Sequence, residues 1–366
     1  MFIFIILAAA DAGAEIPAAH IKTLQAHTAP SGCVRFAPGG RFLVSGGFDT
    51  RIAFIGTGSW KIKNILRHGY FTEHIAFSPD GKFMASSGRG GKIKLWNIKN
   101  EKLLKSFDSG KDPVFSSSFS KRGKYLLSGA NNRLNIWDIS GRELVNSVKF
   151  GDFWPRVITF SKDGKYLITA GGEKIILWNV TYGSLLNKIL GKGGIRREKI
   201  REEKYWPYVY AAVFSPGSYY YASAGEDGMI KLWRREDGLR MWAKQPHKER
   251  IWALAFHPYA GYLASAGEGG LIKFMNVKDG ARALAAVKVN SKVNSLDFSP
   301  RGNFLAAGCN DGTVRIWKVP GGKKDCRAVI IKAVIPSAAA LLLVITIIVI
   351  IYRRKRSKSS VKEWKV

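Results

Sequence analysis

A seven-residue segment, Phe-Ser-Pro-Asp-Gly-Lys-Phe, opens at Phe77 and recurs in altered form along the chain. Its leading aromatic returns at Phe36, Phe77, Phe119, Phe160, Phe214, Phe256 and Phe298, with spacings of 41, 42, 41, 54, 42 and 42 residues. Self-similarity at one interval constrains a fold more tightly than composition does. A single copy cannot bury its own apolar side, so the copies must pack on one another. Repeat two runs Ile75-Ala76-Phe77, a Pro79-Asp80-Gly81 turn, a second apolar run from Phe83, a glycine-rich turn, and Ile93-Lys94-Leu95-Trp96. Proline presets one turn dihedral, glycine accepts positive φ, and β-branched or aromatic runs between such turns form strands. Glu101 to Phe107 supplies a fourth strand. Four strands in each period of about 42 residues predict the blade of a propeller.

Four side-chain columns run through the repeats. Trp96, Trp137, Trp178, Trp233 and Trp317 stand 18 or 19 residues after their phenylalanines, with Ile55 and Met275 in that place in repeats one and six. His27, His68 and His247 stand nine residues before the anchor. Ser45, Ser86, Ser128, Thr169, Ser223 and Ser265 form a hydroxyl column, and Asp49, Asp227 and Asp311 precede the Trp position by six residues. These marks resemble the WD-repeat β-propeller family over Ala19 to Val319. The resemblance implies a hydrogen-bonded His, Ser, Asp and Trp tetrad inside each blade. No repeat keeps all four, and repeat seven has Ala307 in the serine place. The family closes its ring with an N-terminal strand that completes the last blade, and Ile21-Lys22-Thr23-Leu24-Gln25 stands ready for that role. Closure hides a sheet edge that would otherwise be bare.

The two ends add a second theme. Residues 333–352 are apolar except for Ser337 and Thr346, and a helix needs about 20 such residues to cross a bilayer. A basic tail follows over 353–366, with seven Lys or Arg against Glu363, and a basic linker precedes over 320–332. Met1 to Ala14 carries a short apolar run and small residues at Ala12-Gly13-Ala14, the pattern of a signal peptide, although its only positive charge is the α-amine. The expected architecture is therefore all-β, a seven-bladed β-propeller over 19–319 closed by an N-terminal strand, plus one C-terminal transmembrane α-helix at 333–352. Two orientations stand open. In one the propeller is exported and the tail stays in the cytoplasm, as the positive-inside rule favours. In the other it faces the cytosol on a tail anchor.

The chain carries 58 basic and 27 acidic residues, a formal charge of +31. Lys92, Lys94, Lys231 and Lys273 alternate with apolar neighbours, which suits a solvated strand face; the same excess would attract anionic lipid headgroups. Nucleic acid is not the expected partner, since no recognition helix or zinc-finger spacing is present. Cys33, Cys309 and Cys326 are an odd set without CxxC spacing, so neither a disulfide framework nor a zinc site follows. Ring closure makes repeats one and seven neighbours, and Cys33 and Cys309 are then either two buried thiols or a disulfide.

Partner-binding candidates come from departures within the repeats. The 54-residue spacing after Phe160 exceeds the period, and the surplus is assigned to Gly191 through Lys204, a glycine-punctuated and charged loop. Aromatic and arginine residues stand where the family places its entering connections: Asp112 and Phe115; Phe153, Trp154 and Arg156; Tyr205, Trp206 and Tyr208; Arg250 and Trp252. In the family these connections lie on the top face, the usual partner surface. Trp, Tyr and Arg dominate interface hot spots, so a peptide or protein ligand centred on blades four to six is expected. The competing reading packs these rings between blades in place of lost tetrads. No phosphate loop, HExxH, paired carboxylates or nucleophile elbow is present, and no cofactor is expected. An enzyme would need polar groups converging on the channel, whereas the residues expected at the axis, such as Val34, Ala76 and Ala255, are small or apolar.

Overall fold

The computed structural model describes residues 18–150, 153–180, 199–204, 208–259, 261–280 and 283–321. The chain divides into two compact units, 1–320 and 321–366, and apart from Gly321 the described residues belong to the first. They form seven four-stranded antiparallel sheets. The innermost strands are Ser31–Phe36, Thr72–Phe77, Val114–Phe119, Val157–Phe160, Val209–Phe214, Ile251–Phe256 and Val293–Phe298. Each repeated phenylalanine ends one of them. Every innermost strand lies between those of the two adjacent blades, and Ser31–Phe36 lies against both Thr72–Phe77 and Val293–Phe298. The ring is closed. The closing strand is Ala19–Gln25, which completes blade seven by pairing with Thr313–Lys318, Leu24 opposite Val314 and Gln25 opposite Thr313.

The apolar residues do not make one core. They form seven buried clusters, each shared by neighbouring blades. Leu95 and Phe107 of blade two meet Val114 and Trp137 of blade three, and Val34 and Phe36 of blade one meet Ala306, Val314 and Ile316 of blade seven. Burial thus depends on having both neighbours, as the repeat logic requires. The outermost strands are the sheet edges that face away from the channel. Lys61–Arg67 and Lys102–Asp108 carry exposed lysines at Lys61, Lys63, Lys102 and Lys105, charges that discourage edge-to-edge pairing with another chain.

Two expectations need correction. The outermost strand of blade four is Lys199–Lys204, paired with Lys174–Trp178, so the surplus residues lie before it and do not include it. The need for a fourth strand to complete the blade decides this. Second, Val34, Ala76 and Ala255 do not face the axis; each packs between blades. Of the two alternatives for Cys33 and Cys309, the structure has the buried free thiols, with burial raising their pKa to about 12 and about 11. Cys326, the signal segment 1–14, the span 333–352 and the tail 353–366 lie outside the described residues. Among the described residues no helix is long and apolar enough to cross a membrane.

Candidate functional site

Strand direction reverses three times within a four-stranded blade. The connection entering a blade and the turn between its second and third strands therefore share one face, here called the top. Six innermost strands carry a register break beside this face, at Ser31/Cys33, Thr72/His74, Val114/Ser116, Val209/Ala211, Ile251/Ala253 and Val293/Ser295. The extra residues are Gly32, Glu73, Phe115, Tyr210, Trp252 and Asn294. In blade four Arg156 holds the equivalent place, just before Val157–Phe160, and its N–H donates to the Ala170 carbonyl at 2.8 Å. A bulge takes one side chain out of the inward-outward alternation and re-aims it. All seven of these residues line a cavity of about 400 Å³ at the channel mouth. This column stands four residues before each phenylalanine, and it explains why the axis is not lined by Val34 or Ala255.

Glycines seat the connections above it. A Cβ on Gly88, Gly171, Gly225 or Gly267 would stand 1.8 to 2.0 Å from the carbonyl oxygen of Phe71, Trp154, Tyr208 or Arg250 respectively. The missing side chain lets the entering connection cross the end of the second strand. The same carbonyls are held by the next turn: Arg89 N–H donates to Phe71 at 3.1 Å, Glu226 N–H to Tyr208 at 3.0 Å and Glu268 N–H to Arg250 at 3.0 Å.

Two aromatic–arginine groups result. On blades three to six, the Arg156 guanidinium carbon lies 4.8, 5.2 and 5.7 Å from the ring centres of Phe115, Tyr210 and Trp252, and the last two rings are 4.4 Å apart. Burial lowers the Arg156 pKa from its ordinary value, while Glu73 and Tyr210 act the other way. Burial raises that of Tyr210, with Glu226 adding to it. On blades one and two, Phe48 stacks on Phe71 at 5.2 Å, and Arg89 covers both rings and meets Glu73 at 3.0 Å. Salt bridges tie blades together at the rim, Arg250 to Glu226 at 2.9 Å and Lys292 to Glu268 at 2.6 Å.

The predicted contact residues separate. Trp154 and Tyr208 are 54% and 50% exposed, too open to be packing between blades. Phe153 is 4% exposed and packs edge-on against Phe150 at 5.4 Å, so it belongs to the core. Asp112 accepts a hydrogen bond from Asn131 at 3.0 Å, and Arg250 is exposed. Tyr205 and Trp206 lie outside the described residues. Tyr210, Glu73, Arg89, Phe48 and Phe71 were not singled out from the sequence. The bulge column carries the signal for Tyr210 and Glu73.

The tetrad columns are internal. Trp96, Trp137, Trp178 and Trp233 donate Nε1–H to Ser86, Ser128, Thr169 and Ser223 at 2.8 to 2.9 Å. His27 contacts Ser45 and lies 3.0 Å from Asp49; His247 lies 2.8 Å from Ser265. Asp227 and Asp311, lacking a histidine, bind Met229 N–H and Thr313 N–H and pair with Lys231 and Arg315. The Trp317 side chain, without a hydroxyl at Ala307, packs in the cluster between blades six and seven.

The profile of the family described as WD domain, G-beta repeat matches residues 19–54, 62–97, 101–138, 202–234, 241–276 and 285–318, more than half of the chain. The chain belongs to that family. Each WD match runs from the outermost strand of one blade through three strands of the next. The inner strands of blade four fall in the unmatched interval, so the six WD matches and the seven blades agree. No curated protein matches the chain.

The WD channel also holds polar groups. Arg35 and His74 line the cavity, and Ser117 N–H donates to His74 Nδ1 at 3.3 Å. Burial, with Arg35 adding to it, holds His74 down to about 3, too low for a general base near neutrality. Among the described residues no group of three or more His, Cys, Asp or Glu could hold a metal ion.

Proposed function

We propose that this WD propeller is a non-enzymatic protein-interaction scaffold that seats a peptide or protein segment across the top of blades three to six. The observation that carries the reading is the convergence of Phe115, Arg156, Tyr210 and Trp252 at the cavity beneath exposed Trp154 and Tyr208. Half-buried rings with an arginine, ringed by exposed aromatics, are what interface hot spots use. The WD family lends the scaffold class. A partner for such a face is held by contact alone, since the cavity pairs no activated nucleophile with a base.

The composition of 333–352 supports a single membrane span, with the propeller tethered to a bilayer and its basic neighbours near anionic headgroups. The signal-like start and basic tail favour the exported orientation. Protease added to sealed, right-side-out cells should then digest the propeller; full protection there would place it on the cytosolic side.

The scaffold reading is tested by affinity capture with the full chain and with Trp154→Ala and Tyr208→Ala. Both variants should melt within about 0.5 kcal/mol of the parent, as surface substitutions do, and should lose captured partners. Retention of every partner by the double variant would refute the assignment of this face.

A further inference from the structure

Charge in the channel mouth is unevenly matched. Three guanidinium groups, Arg35, Arg89 and Arg156, line the cavity, which also holds Glu73. Asp297 lies at the seam beside it, accepting from Phe36 N–H at 2.7 Å and interacting with Arg35. Three cations against two carboxylates leave one positive charge over. Arg89 has its carboxylate in Glu73 at 3.0 Å. Arg35 reaches only the Val34 and Leu296 carbonyls, both at 3.4 Å.

Arg156 is the most exceptional. Three rings hold its guanidinium, and among the described residues no carboxylate, carbonyl or hydroxyl accepts from it. Ring contact engages the face of a guanidinium and leaves its N–H edge free, the edge that forks onto a planar anion. An ion taken from water without a counter-charge is costly, and a site that keeps one is prepared for a ligand of opposite sign. The aromatic walls also restrain the side chain, so little freedom remains to be lost on binding.

We propose that the channel mouth is a receptor for a single carboxylate carried by the partner segment, with Arg156 as the docking cation and Arg35 below it. The inference rests on the scaffold reading and names the chemistry that the partner presents. One surplus positive charge matches a carboxylate; a phosphate dianion would leave the cavity negative.

The test uses the full chain labelled with 15N-arginine. It is titrated with the acetylated, amidated peptide Ala-Ala-Glu-Leu-Ala, with the same peptide carrying Gln for Glu, with sodium glutarate and with inorganic phosphate. The Arg156 Nε–H resonance is assigned by its loss in Arg156→Lys. The Glu peptide should shift that resonance and bind at least ten-fold more tightly than the Gln peptide, glutarate or phosphate. Lys61→Gln, on an outer strand, should leave this preference unchanged. An unmoved Arg156 resonance, equal binding of the Glu and Gln peptides, or tighter phosphate binding would overturn the carboxylate. Glutarate binding as tightly as the Glu peptide would overturn the peptide-borne source. Partner loss in Trp154→Ala with an unmoved Arg156 refutes only this inference; a shifted Arg156 with every partner retained refutes only the scaffold face.

Discussion

His68 shows how far a single residue's partners decide its state. Its Nδ1 lies 2.9 Å from Ser86 Oγ, which already accepts from Trp96, while its buried Nε2 has no partner among the described residues. Burial, aided by Lys94, lowers its pKa to about 4, so the ring is neutral. The aspartate that would serve Nε2 is replaced by Gly90, whose φ is +84° and whose missing Cβ would meet the Tyr70 ring at 2.4 Å. Gly90→Asp should therefore not complete a tetrad. It should destabilise by about 1–3 kcal/mol, from backbone strain and displacement of Tyr70, read as a lower Tm. The tetrad residues are legible from sequence because each is a one-to-one column. Tyr70 is not, since its role exists only where two connections meet.

Between elements, the innermost strands are bonded sideways by side chains as well as by packing. Ile158 N–H donates to Ser116 Oγ at 3.0 Å and Phe160 N–H to Ser118 Oγ at 3.4 Å across blades three and four. Val34 N–H donates to Ser295 Oγ at 3.2 Å across blades seven and one. Between blades five and six the same columns hold Ala211, Val213, Ala253 and Ala255, which have no such acceptor. Ser116→Ala leaves the Ile158 N–H buried and unbonded, at a cost of about 1–3 kcal/mol; urea unfolding should show a lower midpoint with an unchanged slope. The closing strand makes the stronger prediction. Removing Ala19–Gln25 bares Thr313–Lys318 and uncovers the cluster shared by blades seven and one. Such a chain should lose its cooperative melt and associate with rising concentration, as light scattering would report. The strands and the closure were readable from turn chemistry and period. The bulges were not, because an extra residue in one strand leaves the period intact.

At the scale of the whole molecule, five histidines whose pKa burial lowers, His27 among them, set the response to acid. His68, His247 and His257 are held down to about 4 and His74 to about 3, in every case chiefly by burial. The unfolded chain binds their protons near the ordinary value of 6.5, so it holds more protons than the fold between there and about 4. Stability must fall as pH drops through that window, by up to about 1.4 kcal/mol per unit for each histidine. Asp297 opposes this, since burial raises its carboxyl to about 6 and the fold binds its proton first. One acid against five histidines leaves a net loss, and Tm should decline steadily from pH 6.5 to pH 4. A flat Tm across that range would contradict the burial of these rings.

The period, the turn residues and the tetrad columns are local or regularly repeated properties, so the chain alone determined seven four-stranded blades and the strand that closes them. The channel mouth belongs to no single repeat. Phe115, Arg156, Tyr210 and Trp252 come from four blades and meet because register breaks turn the three rings to one axis, where Arg156 enters from its place just before Val157–Phe160. Sequence marked three of them as unusual and passed over Tyr210, and it counted Phe153 as a contact although the ring packs inward on Phe150. Which side chain faces a partner and which faces a neighbouring blade depends on a bulge of one residue, and only the folded ring sets that.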